Sequence, residues 1–182
     1  MPGRTDGDES AGARKGGRPG ETRATWSLVA GASLVSTALA AYEIVPASIT
    51  PIITRSLAID PAAAGLLISV MFGAAVLASL PVGAVLDRTD SRTAMAVAVL
   101  SLFVVGVWGW LAARDGAYWS LIASRAVGGL TYIVVWNAGI DIVSRAVGTS
   151  NRATAVGVFT ASGPVGFALG QGTGSLVADL LG

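Results

Sequence analysis

The sequence contains no cysteine and no histidine. Without cysteine the chain has no disulfide framework, no thiolate nucleophile and no cysteine-bound metal. Without histidine it lacks the commonest general base and metal ligand at neutral pH. Asp, Glu and Ser remain, but no polar trio lies deep in adjacent apolar segments. We therefore expect no catalytic residue, no metal site and no cofactor, and a membrane-embedded enzyme is the least favoured class.

Charge is also scarce. Only 13% of the residues are charged, 53% are hydrophobic, and the mean hydropathy is +0.67. A soluble domain carries about 25% charged residues, so this chain has too little polar surface to cover a water-soluble globule. The net charge of +1 gives no reason to expect a nucleic-acid partner. The expected partner is a lipid bilayer.

Long uncharged runs divide the chain. Four runs carry no charge and a fifth carries only Arg125; they are Ala24–Tyr42, Pro61–Leu86, Thr93–Ala113, Ala153–Ala178 and Gly116–Ile140. Each reaches the roughly 18 residues typical of a transmembrane helix. Buried core helices are the alternative, but five in succession would leave no amphipathic helix to cover them. The sequence predicts an all-α membrane domain over 24–182, with helices at about 24–50, 61–86, 92–113, 116–140 and 152–177.

Residues 1–23 have a different composition, rich in Gly, Arg, Asp, Glu, Ser and Thr. Such a segment cannot bury enough apolar surface to offset chain entropy, which predicts a disordered tail. Asp6, Asp8 and Glu9 do not suit the basic start of a signal peptide.

The basic residues predict the orientation. One side of the membrane would carry nine of them: Arg4, Arg14, Lys15, Arg18, Arg23, Arg88, Arg92, Arg145 and Arg152. The other side would carry only Arg55 and Arg114. The positive-inside rule then places the amino terminus in the cytoplasm of a multi-pass protein in the cell membrane. Trp108, Trp110 and Trp119 fall at the outer interface, where amphipathic rings are favoured.

Two charged residues fall inside the predicted helices. A charge at a helix centre costs at least about 2.5–3.5 kcal/mol, so such residues usually face a bundle interior or a wet cavity. Arg125 and Glu43 both fall in the outer half of the membrane and are candidates for a cavity or coupling site. In the alternative reading, Glu43 reaches the interface and Arg125 braces backbone carbonyls. Pro46 removes one helix hydrogen bond and is a candidate hinge.

The predicted fifth helix is rich in glycine. Gly166, Gly170 and Gly174 recur every four residues, after the pair Gly163-Pro164. This spacing puts the glycines on one face, where a neighbouring backbone can approach closely. A rocking surface and static packing both remain open, and Pro164 is a second candidate hinge.

The loop after the second helix is a candidate conformational latch, formed by Gly83, Asp87, Arg88 and Arg92. An anion at a helix carboxyl end is disfavoured by the macrodipole, so Asp87 there suggests a cationic partner. Basic residues that the topology places on the same side are available for a breakable ion pair.

This loop resembles the signature between helices two and three of the major facilitator superfamily of secondary transporters, approximately Gly-x-Leu-x-Asp-Arg-x-Gly-Arg-Arg/Lys. The four latch residues match it, whereas Asp90 stands at the usual glycine and Ser91 at the first usual base. The segment 124–129 looks like the family's Arg-x-x-x-Gly element. Gly163-Pro164 is similar to the fifth-helix antiporter motif at that pair alone, which leaves uniport, symport and antiport open.

The resemblance implies alternating access, in which two six-helix halves rock about a central solute site. The sequence ends after the fifth predicted helix, so we expect a fragment of a permease for a small solute, with or without a coupling ion. Its missing carboxyl-terminal half would come from the same gene or from a second chain. A non-transporting assembly subunit or an inactive transporter paralogue is the alternative.

Overall fold

The computed structural model describes the backbone of residues 19–181 and the side chains of residues 23–174, 176 and 180. The described chain forms six helices and no strand: α1 Pro19–Ser48, α2 Thr50–Ser56, α3 Pro61–Leu86, α4 Ser91–Arg114, α5 Tyr118–Ala146 and α6 Arg152–Leu181. All except α2 are long and apolar enough to cross a membrane. The predicted all-α membrane fold is confirmed.

Aspartate side chains cap the starts of α3 and α4. The Asp60 carboxylate accepts from the Ala63 amide at 2.8 Å, and Pro61 occupies the first turn of α3, where a missing N–H costs nothing. Asp90 caps α4 by accepting from the amides of Arg92 and Thr93, both at 3.1 Å. At the α4–α5 turn, Gly116 has φ +67°, a conformation that glycine adopts without strain.

Three helix pairs form most of the contacts in the bundle. Helix α1 packs chiefly against α6, and α5 packs against α3 and α4 while also touching α1 and α6. The main apolar core includes Leu39, Met71, Met95 and Val135, and a second core surrounds Phe159. The outward faces are apolar as well, with Leu77 and Leu80 on α3 more than four-fifths exposed. These outward faces suit contact with lipid.

The bundle has two chemically different ends. The end that contains the α3–α4 loop also contains the end of α5 and the first turns of α1, and we call it the pocket end. The opposite end carries Trp108, Tyr118 and Trp119. There the Trp108 indole donates to Ser120 at 2.9 Å, and the Tyr118 hydroxyl donates to the Ala63 carbonyl at 2.9 Å.

Some boundaries differ from those expected. Helix α1 begins at Pro19, and residues 1–18, which hold most of the predicted tail, lie outside the described residues. Helix α5 runs to Ala146 rather than Ile140, because the first charge after an apolar run does not end a helix; its last turns include Asp141 and Arg145, which pair four residues apart on one face. The short helix α2 was not predicted, and Pro51 lies in its first turn.

Candidate functional site

Arg125 lies in the middle of the bundle, on α5, with only 3% of its surface exposed. Its three guanidinium nitrogens each donate to a backbone carbonyl: Nε to Leu67 at 3.2 Å, Nη1 to Tyr42 at 3.2 Å and Nη2 to Glu43 at 2.8 Å. Its Cζ also lies 4.7 Å from the centroid of the Tyr42 ring, a cation–π contact. One side chain of α5 thus holds the backbones of α1 and α3 together.

The carbonyl of Tyr42 is available because of Pro46. In an α-helix the amide of residue 46 would donate to the carbonyl of residue 42, but proline has no N–H. Helix α1 continues through Pro46 to Ser48, so this carbonyl needs another donor within the membrane. Arg125 supplies it. The predicted hinge and the predicted buried cation therefore belong to one hydrogen-bonded unit.

Glu43 is almost completely buried, with 1% of its surface exposed. Neither carboxylate oxygen has a hydrogen-bond partner among the described residues. Arg125 contacts the main-chain oxygen of Glu43, and no ion pair joins the two side chains within the part of the chain described. A buried carboxylate without a donor is costly, so it is a group with a strong demand for a proton or a cation.

The Arg125–Glu43 unit lies inside this bundle rather than on its outer surface. Its contacts come from α1, α3 and α5, and both side chains are buried without any further protein present. The structure brings the two predicted residues together. It does so through the backbone of α1 and α3, within one bundle, instead of across an open cavity.

At the pocket end, the latch residues lie on an exposed surface. Asp87 follows α3 directly, and no side-chain ion pair or hydrogen bond joins it to Arg88, Arg92 or any other described residue. The ion pair found at this end joins Arg145 Nε to Asp141 Oδ1 at 2.7 Å. The Ser91 hydroxyl donates to the other oxygen of Asp141 and links α4 to α5.

A cavity of about 500 Å³ opens beside this loop. It is lined by the loop itself, by the first turn of α4, by the end of α5 and by Leu28 of α1; the latch residues that line it are Gly83, Asp87 and Arg92. Among the described residues, no group of three acidic side chains lies close enough together to hold a metal ion. The cavity is polar and carries charges of both signs.

Three glycines of α6 face α1. A Cβ at Gly166 would overlap the Thr37 carbonyl, one at Gly170 would come within 2.6 Å of the Ala41 carbonyl, and one at Gly174 would overlap Ser48. The Thr37 hydroxyl also donates to the Ser162 carbonyl at 3.2 Å. Gly163 lies against the Trp136 ring, whereas Pro164 is exposed. The predicted close approach of a neighbouring backbone is therefore specific to α1.

The family model of the Major Facilitator Superfamily matches residues 27–182, which is most of the sequence. The chain belongs to the Major Facilitator Superfamily. It is a multi-pass membrane protein with a transporter-type function. No solved structure matches it.

Within this superfamily member, four contributors to the site were missed by the sequence analysis: Tyr42, Asp90, Ser91 and Asp141. The carbonyl of Tyr42 could have been identified from the sequence, since it stands four residues before Pro46 and therefore lacks its helix donor. Asp141 could have been identified as well, because Asp and Arg at 141 and 145 have the spacing of a helical ion pair. Asp90 and Ser91 were seen only as departures from the family motif. In the structure Asp90 caps α4, and Ser91 bonds to Asp141.

Proposed function

We propose that this chain forms the amino-terminal part of a secondary transporter, a permease that carries a small solute across the cytoplasmic membrane by alternating access. Membership of the Major Facilitator Superfamily and the five membrane-spanning helices support it. The observation that carries it is the junction of Arg125, the Tyr42 carbonyl and Pro46, next to the unpartnered carboxylate of Glu43.

This junction offers Arg125 two sets of acceptors. In the observed arrangement the guanidinium satisfies the Tyr42 carbonyl and stiffens α1 across Pro46. If it moved to the Glu43 carboxylate, that carbonyl would lose its donor and α1 would be free to bend there. A proton or another cation bound at the Glu43 carboxylate would remove the attraction that draws the Arg125 guanidinium away from the Tyr42 carbonyl. A coupling ion can thereby bias a helix between two shapes.

The orientation in the membrane follows the basic residues. We place the pocket end and the amino terminus in the cytoplasm, since Arg88, Arg92, Arg145 and Arg152 lie at that end. The latch residues Asp87, Arg88 and Arg92 then face the cytoplasm with no ion pair among themselves. We expect a second six-helix half, from the same gene or from another chain, to complete the solute site and to engage this loop.

Conservative substitutions test the junction. Arg125→Lys keeps the charge but cannot reach three carbonyls with one planar group. Glu43→Gln keeps the shape and removes the carboxylate. With the complete transporter in vesicles, we expect Arg125→Lys to abolish solute uptake, and Glu43→Gln to abolish ion-driven accumulation while leaving solute exchange.

Arg114→Lys is the matched control, because Arg114 is exposed at the opposite end of the bundle and contacts the Trp110 ring there. Normal gradient-driven uptake by both Arg125→Lys and Glu43→Gln would refute the coupling role. If the stably inserted wild-type protein shows no uptake with any partner half, the chain acts as an assembly subunit or an inactive paralogue instead.

A further inference from the structure

Helix α2 links the two helices that Arg125 holds together. It joins the end of α1 to the start of α3, at the end of the bundle opposite the pocket. Along α1 the rise from Glu43 to Ser48 is about 8 Å, and along α3 the rise from Pro61 to Leu67 is about 9 Å. The Arg125–Glu43 unit therefore lies within about two helical turns of this link.

The internal hydrogen bonds of α2 come from its own side chains. The Thr54 hydroxyl donates to the carbonyls of Thr50 and Pro51, at 3.1 and 3.0 Å. Arg55 Nε donates to the Pro51 carbonyl at 3.0 Å. None of the seven residues of α2, all of them described, is buried. The helix can therefore leave the bundle without breaking these hydrogen bonds and without exposing a fully buried side chain.

The joint between α1 and α2 depends on one hydroxyl. A continuous helix would bring the amides of residues 50 and 51 to the carbonyls of Pro46 and Ala47, but residue 51 is proline and has no N–H. The Thr50 hydroxyl donates to both carbonyls, at 2.9 and 3.1 Å. The chain departs from helical geometry between them and α2, at Ile49, which has φ −109° and ψ 18°. A single side chain thus bridges the break between the two helices.

The joint between α2 and α3 is strained. Ala58 has φ +51° and is the one residue other than glycine with a positive φ among those described. In this conformation the Cβ of an L-residue lies too close to a backbone carbonyl oxygen. Asp60 and Pro61 fix the first turn of α3 beyond it, so a movement of α2 is the way for Ala58 to return to negative φ. The observed position of α2 is therefore held against strain.

We propose that α2 is a lid that swings about Ile49 and Ala58 between the observed closed position and an open one. The Thr50 hydroxyl holds the lid closed, and the strain at Ala58 favours its opening. Glu43 is 1% exposed in the closed state. Given the proposed transport function, the open lid admits water and the coupling ion to Glu43 from the side opposite the pocket.

Distances between spin labels, measured by pulsed EPR, test the movement. The native chain has no cysteine, so introduced thiols carry the only labels. In the full chain in lipid nanodiscs, Ser56→Cys and Ala113→Cys label α2 and the end of α4, both at exposed positions. Two distance populations are expected. Ala62→Cys with Ala113→Cys is the control pair, because Ala62 is exposed on α3 beyond the strained joint, and it should give one.

Two substitutions should shift the populations in opposite directions. Thr50→Val keeps the shape of the side chain and removes the hydroxyl, so the ratio of open to closed should rise about fivefold, the scale of one hydrogen bond. Ala58→Gly, added to Thr50→Val so that the open population stays measurable, relieves the strain and should lower the ratio about fivefold.

Thr160→Val is the matched control for the hydroxyl. The Thr160 side chain donates to the carbonyls four and three residues earlier on α6, at 3.0 and 3.1 Å, in the same pattern as Thr50. Because α6 is not part of the lid, Thr160→Val should leave the ratio of open to closed unchanged.

Thiol labelling tests what the lid covers. Glu43→Cys places a thiol at the junction, and a water-soluble thiosulfonate reagent measures its access. Thr50→Val should speed the labelling about fivefold, and the addition of Ala58→Gly should slow it again by the same factor. Thr160→Val should not change the rate.

Three results would overturn the proposal. These are a single α2 distance in both the native chain and Thr50→Val, an equal shift in the control pair, and labelling rates that Thr50→Val and Ala58→Gly leave unchanged. Neither measurement needs transport. A lid that moves in a chain that carries no solute with any partner half would overturn the proposed function alone. An immobile α2 in a chain that transports would overturn the lid alone.

Discussion

Arg125 in the interior of the bundle and Asp87 at its pocket end differ in how many partners their charged groups have. Inside, Arg125 uses all three nitrogens on carbonyls of α1 and α3 and stacks on Tyr42. At the pocket end, Asp87 has no side-chain partner among the described residues. The difference follows from the solvent. In hydrocarbon an unsatisfied polar group is costly, whereas at a wet surface water satisfies it and partners can be exchanged cheaply. A buried charge such as Arg125 is thus held by its bonded partners and can leave them only for another buried acceptor such as Glu43, whereas an exposed charge exchanges partners with water freely.

The strongest way to break this comparison is Arg125→Met, which keeps much of the volume and removes every donor. The Tyr42 carbonyl would be left without a donor, at a cost of about 1–3 kcal/mol for that group, with the lost cation–π contact in addition. We expect the largest fall in thermal unfolding temperature here, measured by tryptophan fluorescence in detergent. Arg114→Met should leave the temperature nearly unchanged. Equal effects of the two would contradict the structural role of Arg125.

The second test concerns the α1–α6 contact in the interior. Gly166→Ala would push a Cβ into the Thr37 carbonyl, and overpacking of this kind costs about 1–3 kcal/mol. Gly157→Ala on the same helix is the matched control, since nothing lies within 4 Å of its added Cβ. That variant should be stabilised by about 0.5–1 kcal/mol from helix propensity. The two free energies of unfolding should therefore change in opposite directions; changes of the same sign would show that α1 and α6 do not touch at Gly166.

The third test removes a cap at the pocket end. Asp90→Ala loses the acceptor for the Arg92 and Thr93 amides and should cost about 1 kcal/mol of stability. Asp90→Asn keeps an acceptor and should cost much less. Unfolding by denaturant measures both. A family-like Asp90→Gly should fall between them, because glycine is a tolerable N-cap.

The smallest effect is expected for the exposed ion pair. Arg145 is 79% exposed in its pair with Asp141, so Arg145→Gln should change stability by no more than about 1 kcal/mol, and less at high salt. Asp141→Asn should cost more, since it also weakens the bond from Ser91 that joins α4 to α5. A larger effect of Arg145→Gln than of Asp141→Asn would reverse this assignment.

The sequence predicted the helices because charge is excluded from hydrocarbon, and this rule does not depend on tertiary packing. It also picked out Arg125, Glu43 and Pro46, since a charge or a proline is conspicuous in an apolar run. It did not predict that Arg125 bonds the carbonyl that Pro46 leaves free. That bond depends on the register of α5 against α1, and such a register is set by packing between segments 83 residues apart. Similarly, the spacing of Gly166, Gly170 and Gly174 indicated a close neighbour without naming α1.

The contact between α1 and α6 also governs the order in which the protein can be assembled. Thr37 and Ser162 are 125 residues apart in the chain. At about 5–20 residues per second, a ribosome needs roughly 6–25 s to make the segment between them. During that interval α1 is in the membrane without the helix that packs along it, and until Arg125 has been made the Tyr42 carbonyl has no guanidinium to bond to. Helix α1 is thus made before α3, α4 and α5 but gains its partner α6 only after them.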